Sequence, residues 1–338
     1  MNPRSAARLP FALSPVSLGC WQLGGDWGDV TEDSAHAVLA AALDAGVTFL
    51  DTADVYGDGR SERLIGAFLA GRSDLPGDLR VATKMGRRAD PHEAAAYTLD
   101  AFRAWTDRSR ENIGVDTLDL VQLHCPPTAV FSADTTYDAL DTLVAEGRIG
   151  SYGVSVETCE EALTAIARPG VASVQIILNA FRQKPLEEVL PAAVEAGVAI
   201  IARVPLASGL LSGKYDEHTT FAANDHRTFN RNGESFDVGE TFAGVPFDVG
   251  VAAAREISAL VGDGALDRDG SQVTTSQLAL RWILDQTGVT TVIPGARNAA
   301  QARSNAAAAD LPPLTAEQSA RFAEIYDSAV RPHVHARW

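Results

Sequence analysis

Short apolar runs alternate with stretches of helical period eight times along this chain, and that rhythm leaves few folds open. Strands so far apart cannot pair through tight hairpins; each returns through a crossover helix, which makes neighbouring strands parallel. The pattern predicts strands at 16–21, 48–51, 79–84, 118–124, 150–155, 173–177, 199–204 and 290–293. Helices are predicted between them at 31–45, 61–69, 91–113, 137–146, 159–167, 186–196, 274–286 and 299–308. Ala45 and Gly46 end the first helix with a glycine C-cap, and EAGVAII at 195–201 repeats the device. Eight such units close into an α/β fold, the (β/α)8 TIM barrel, which has no edge strands. Residues 1–338 are read as a single domain, since such barrels commonly run past about 250 residues as one unit.

Two parts stand outside the repeat. Residues 215–247 follow the seventh strand and are rich in Asp, Asn, Gly, Phe and His. A loop this long at that place is expected to cover a cofactor or substrate. An extra helix is predicted at 248–261 and a C-terminal one at 316–328, while the tail RPHVHARW has no pattern that assigns it a role.

Hydrophobic residues make up 46% of the chain and charged residues 21%, enough apolar surface for a full core. A net charge of −16 argues against a nucleic-acid partner, whose phosphates it would repel. No run approaches the roughly 20 apolar residues of a membrane span, and the first fifteen residues lack the apolar stretch of a secretory signal. The three cysteines, Cys20, Cys125 and Cys159, do not make a disulfide framework. A reducing, cytoplasmic setting is expected. Cys125, beside His124, reads as a small buried residue and not as a nucleophile.

The chemistry collects at strand ends, the rim where such barrels place reactive groups. GVTFLDTADVYG opens from a buried strand into Asp51, Asp54 and Tyr56; LRVATKMG ends near Lys84; LDLVQLHCPP brings His124. A phenol transfers protons near neutrality only if its pKa falls from about 10. A lysine at about 4 Å would stabilise the phenolate by roughly 4 kcal/mol at an effective dielectric of 20, or about 3 pKa units. Asp51 would hold Lys84, and a neutral His124 would donate to a substrate carbonyl. Asp54 reads as a turn group. No G-x-G-x-x-G joins a strand to a helix, so a dinucleotide must be held without that fingerprint.

Asp51, Tyr56, Lys84 and His124 reproduce the tetrad of the aldo-keto reductases. SLGCWQLGG, GVTFLDTADVYG, VQLHCPP, GSYGVSV, VPLASGLLSGKY and VIPGARNAAQARSN resemble that family in order, from about residue 16 to 314. The resemblance implies reduction of an aldehyde or ketone by NADPH, with Tyr56 as general acid and no metal. It matches Ser155 and Gln175 to the nicotinamide carboxamide. Pro205, Leu206, Ser208, Gly209, Leu210, Ser212 and Lys214 match the pyrophosphate loop. Gly295 and Arg297 lie where the 2′-phosphate is gripped, and Gln301 and Asn305 match adenine contacts. The alternative within the same fold is a cofactor-binding regulatory protein resembling the potassium-channel β subunits. A hydrolase built on Asp51 and Asp54 would leave Lys84 and VPLASGLLSGK unexplained.

Two positions depart from the family. Val156 stands where Asn often follows the serine, and Arg203 replaces the aromatic that often stacks on the nicotinamide. A guanidinium there would disfavour the cationic oxidised cofactor unless it turns to the pyrophosphate or pairs with an acid. Trp21, Trp27 and the phenylalanines of the long loop are expected to line an apolar substrate pocket. The particular carbonyl and the oligomeric state are not written in the sequence.

Overall fold

The computed structural model describes residues 1–25, 30–262 and 270–338. Its sheet runs β1 (Leu18–Gly19), β2 (Phe49–Asp51), β3 (Arg80–Met85), β4 (Leu118–His124), β5 (Ile149–Ser155), β6 (Val171–Ile177), β7 (Ala199–Arg203) and β8 (Val289–Val292), each strand parallel to the next. Parallel bridges Val16↔Val292 and Gly19↔Gly295 join the first and last strands, so the barrel closes. Register aligns the chemistry. Lys84 lies opposite Gln122, His124 opposite Ser155, and Ser155 opposite Gln175.

The helices start where side chains can satisfy their first amides. Thr31 caps Glu32–Asp44, whose exit is turned by Gly46 at φ 87. Thr158, Thr274 and Thr315 each form a full capping box. The predicted helix at 91–113 is broken: a short turn at Ala94–Ala96 precedes Leu99–Ile113. Tyr97 is buried in a non-helical conformation between them, and Thr98 starts a fresh cap. The first strand is also shorter than predicted. Cys20 donates its amide to Asp51, and Trp21–Gly24 then turns into a single helical turn.

The N-terminal residues form an antiparallel hairpin, bridged at Arg4↔Leu13. Leu9 and Leu13 are buried with Phe49, Ala82, Leu120 and Ile201 inside the barrel, at the end opposite the strand tips that carry the site. Arg4 donates to the carbonyls of Leu284 and Val289, and Arg8 to those of Ile166 and Arg168. The long loop is ordered by short turns at His226–Phe229, Val238–Glu240 and Phe242–Gly244 before the helix Phe247–Ser258. At the C-terminus Ala316–Ile325 leads through a wider turn to Arg331–Val334, and the tail folds back so that Trp338 is buried. Among the described residues no helix is long and apolar enough to cross a membrane.

Candidate active site

Lys84 and Asp51 form a buried ion pair beneath the strand ends. Lys84 Nζ also donates to the Thr52 carbonyl at 2.9 Å, and Asp51 Oδ2 accepts from Gln122 at 3.0 Å and Gln175 at 2.8 Å. A buried pair of this kind is sustained only when its remaining lone pairs and protons are satisfied, and here they are. The ammonium lies 5.2 Å from the ring centroid of Tyr56. His124 meets that ring edge-on, with centroids 5.8 Å apart and planes at 88°. Trp21 stacks on its other side at 6.1 Å and touches His226 and Phe236 of the long loop. Trp27, expected beside it, lies outside the described residues.

The phenol does not behave as the sequence led us to expect. Burial raises the Tyr56 pKa above its ordinary value; Lys84 opposes this, while Asp51 and Glu240 reinforce it. Lys84, shared with the Asp51 carboxylate, offsets only part of the cost of burial. Tyr56 is therefore a protonated donor at neutral pH. Burial, and then the charges of Arg87, Lys84 and Arg203, hold His124 well below the usual imidazole range. It is neutral, and its Nδ1 finds no partner among the described residues. Asp54, 1% exposed, also has two oxygens with no hydrogen-bond partner among the described residues; burial and Glu62 push its pKa up to about 7 against Arg88 and Arg108. Burial pushes the Cys125 thiol up to about 12, so it is no nucleophile at neutral pH.

A cavity of about 400 Å³ runs from this group along the ends of β5 to β8. Of the residues the sequence singled out, Asp51, Tyr56, His124, Trp21, Ser155, Gln175, Arg203, Pro205, Leu206, Ser208, Gly209, Ser212, Lys214, Gly295, Arg297, Gln301 and Asn305 line it. Lys84 lies behind the wall. Leu210 is not in the lining: its side chain is buried against Gly250 of the following helix. Three assigned polar groups are already engaged. The Gln175 amide donates to Asp51, Ser208 Oγ bridges the Glu240 carbonyl and the Phe242 amide, and Ser212 Oγ bonds the Gly209 carbonyl. Asn305 donates to the Gly295 carbonyl and Gln301 accepts from the Arg297 amide, which braces the loop after β8.

What the cavity offers an anion is the loop after β7 and two cations. Val204, Ala207 and Ser208 all have left-handed φ, at 50, 46 and 54°, and Gly209 is at 95°. Such strain in non-glycine residues collects where backbone is shaped for a ligand. Lys214 and Arg297 are exposed at the cavity wall, and neither side-chain cation bonds a described residue. Arg227, which sequence reasoning missed, also lines it, held by Asp225 at 2.8 Å and by Tyr215 at 2.6 Å. The residues present fit a long, polyanionic dinucleotide.

Of the two exceptions left open for Arg203, the structure takes the second: it pairs with acids. Its Nη1 lies 2.6 Å from Glu240, and its Nη2 lies 3.2 Å from Glu157 and 2.9 Å from the Val156 carbonyl. Burial works against the guanidinium, but Glu240, Cys125 and Glu157 hold its pKa above the ordinary value. Arg87 pairs with Glu157 at 3.3 Å, so two arginines face two glutamates. Cys125, Glu157 and Glu240 bring their ligand-type atoms within 4.8 Å of one another, but the Arg203 guanidinium sits among them where a metal ion would be. Sequence alone missed Glu157, Glu240 and Arg87. One signal was available: an arginine buried at a strand end requires acids nearby.

A profile of the Aldo/keto reductase family matches residues 15–327, and the chain belongs to that family. It is 30% identical to the aldo-keto reductase YhdN of Bacillus subtilis (strain 168), over 89% of this chain and 86% of the relative. It is 27% identical to the aldo-keto reductase yakc [NADP(+)] of Schizosaccharomyces pombe (strain 972 / ATCC 24843), over 83% and 79%. Among solved structures it resembles the glycerol dehydrogenase AKR11B4 from Gluconobacter oxydans, with a TM-score of 0.75 and 28% identity, over 98% of this chain and 96% of that one.

Proposed function

We propose that this protein reduces an aldehyde or ketone to an alcohol with NADPH, and that Tyr56 is the general acid. The observation that carries the reading is the buried Lys84–Asp51 pair behind a protonated Tyr56 with neutral His124 at its edge. When bound, the reduced nicotinamide supplies a hydride to the carbonyl carbon. His124 donates an N–H to the carbonyl oxygen and stabilises the negative charge that grows there. Tyr56 delivers its proton to that oxygen, and Lys84, so close behind, stabilises the phenolate left. Trp21, with His226 and Phe236, shields the reacting end from water.

Lys214, Arg297 and Arg227 would hold the phosphates, with Ser155 and Gln175 at the nicotinamide end. The phosphate specificity is supported by the Arg297 guanidinium, which bonds no described residue, and by the relative named for NADP(+). The small-molecule substrate, the single-domain organisation and a cytoplasmic site of action belong to the same reading. The test is NADPH oxidation against a panel of aldehydes and ketones. Turnover of at least one, lost on Tyr56→Phe, supports it; tight NADPH binding with no turnover on any would favour a regulatory protein.

A further inference from the structure

The buried end of the chain reaches the candidate site through one short segment. Trp338 lies with its ring 3.5 Å from the Arg182 guanidinium, and its Nε1 donates to Asp237 Oδ1 at 3.2 Å. Arg182 Nη1 donates in turn to the Ala243 carbonyl at 3.3 Å. The indole also fits against glycines: a Cβ added at Gly244 would lie 2.4 Å from it, and one at Gly239, 3.2 Å. These contacts grip 237–244 from behind. Phe242 and Ala243 within it are held left-handed, at φ 54 and 58°, a conformation that side chains of this kind rarely adopt unaided. On the other face of the same segment Glu240 reaches the cavity and pairs with Arg203.

We propose that Trp338, together with Arg182, is a positioning residue that holds the 237–244 turn so that Glu240 neutralises Arg203 beside the nicotinamide site. Its effect is on the balance between the two redox forms of the cofactor. With Glu240 in place, Arg203 and Arg87 face two carboxylates and the cluster has no net charge. With the turn released, one carboxylate withdraws and a buried cation faces the nicotinamide. That repels the cationic oxidised ring and leaves the neutral reduced ring unaffected. The inference rests on the reading that the nicotinamide lies against Arg203.

The test is titration of full-length protein with NADPH and with NADP⁺, in wild type, Trp338→Ala, Trp338→Phe, Glu240→Gln and the Trp338→Ala/Glu240→Gln double variant. The dissociation constant for NADP⁺ divided by that for NADPH is expected to rise by about tenfold in Trp338→Ala and in Glu240→Gln. The double variant should show no further rise, because both changes remove one carboxylate. Trp338→Phe, which keeps a ring on Arg182, should stay near wild type. If Trp338→Ala does not fold, Trp338→Leu replaces it, since it fills space without the N–H or the cation–π contact. An unchanged ratio, equal weakening of both forms, or additive effects in the double variant would overturn the proposal. Absence of cofactor binding by wild type would instead overturn the functional reading on which it rests.

Discussion

Tyr56 and Asp54 lie two residues apart, and burial acts on both in the same direction with opposite consequences. For Tyr56 the raised pKa keeps the proton on through neutral pH, which a reductase requires. Its kcat/KM for carbonyl reduction should therefore stay level from about pH 7 to 9 and fall only above the ordinary phenol range, as Tyr56 ionises. A fall centred near pH 7 would restore the sequence-based view of a strongly acidified phenol. Tyr56→Phe should reduce turnover by about 10² or more and leave NADPH affinity within a few-fold, read by stopped-flow and by titration. Asp54 carries a cost. Its folded pKa, about 7, is raised above its unfolded value, so the folded form binds more protons between about pH 4 and 7. That group's contribution to stability therefore falls as pH rises through this window. Asp54→Asn should stabilise the protein by about 1–3 kcal/mol at pH 8 and lose the advantage near pH 4.5, as urea denaturation would show. A gain equal at both pH values would mean that charge at Asp54 is not the cause.

At the scale of elements, what could be read in the sequence divides along regularity. Asp51, Lys84 and His124 lie on parallel strands whose period and ends are visible as apolar runs, and Tyr56 follows within one turn. Their convergence follows from closing the sheet. Glu157, Arg87 and Glu240 lie just beyond strands or in an aperiodic loop, where no repeat sets which way a side chain faces. Their place is fixed by contacts with Arg203, which only the fold brings together. The loops also revise single roles. The Leu210 side chain packs against Gly250 of the helix after the long loop, and the Ser208 hydroxyl is engaged by Glu240 and Phe242 of that loop, although their sequence wording matches a phosphate cradle. Arg297 is different, because its guanidinium bonds no described residue while its amide is braced by Gln301. Arg297→Ala should weaken NADPH by about 1.5–3 kcal/mol and NADH far less. Equal losses for both, in fluorescence titration, would reduce Arg297 to a brace for the loop.

For the whole molecule, the barrel separates what holds it together from what it does, and the first fifteen residues show how. The sequence assigns them no element, because two short arms of a hairpin have too few residues for a period to emerge. In the fold they complete the core: Leu13 is fully buried against Phe49, Leu120 and Ile201, closing the end of the barrel away from the tetrad. Conserving volume there matters to stability, since a truncated side chain leaves a cavity that rigid strands cannot fill. Leu13→Ala should lower unfolding free energy by about 2–5 kcal/mol, measured by chemical denaturation. NADPH affinity and KM at a temperature where the variant is folded should match wild type, because among the described residues of that cluster Ile293 alone also lines the cavity. Ile293 belongs to both, with the inner cluster on one side and the cavity on the other. If Leu13→Ala changes cofactor affinity, the strain passes through Ile293 to the loop of Gly295 and Arg297. In that case Leu13→Met, nearly volume-conserving, should recover both stability and affinity together.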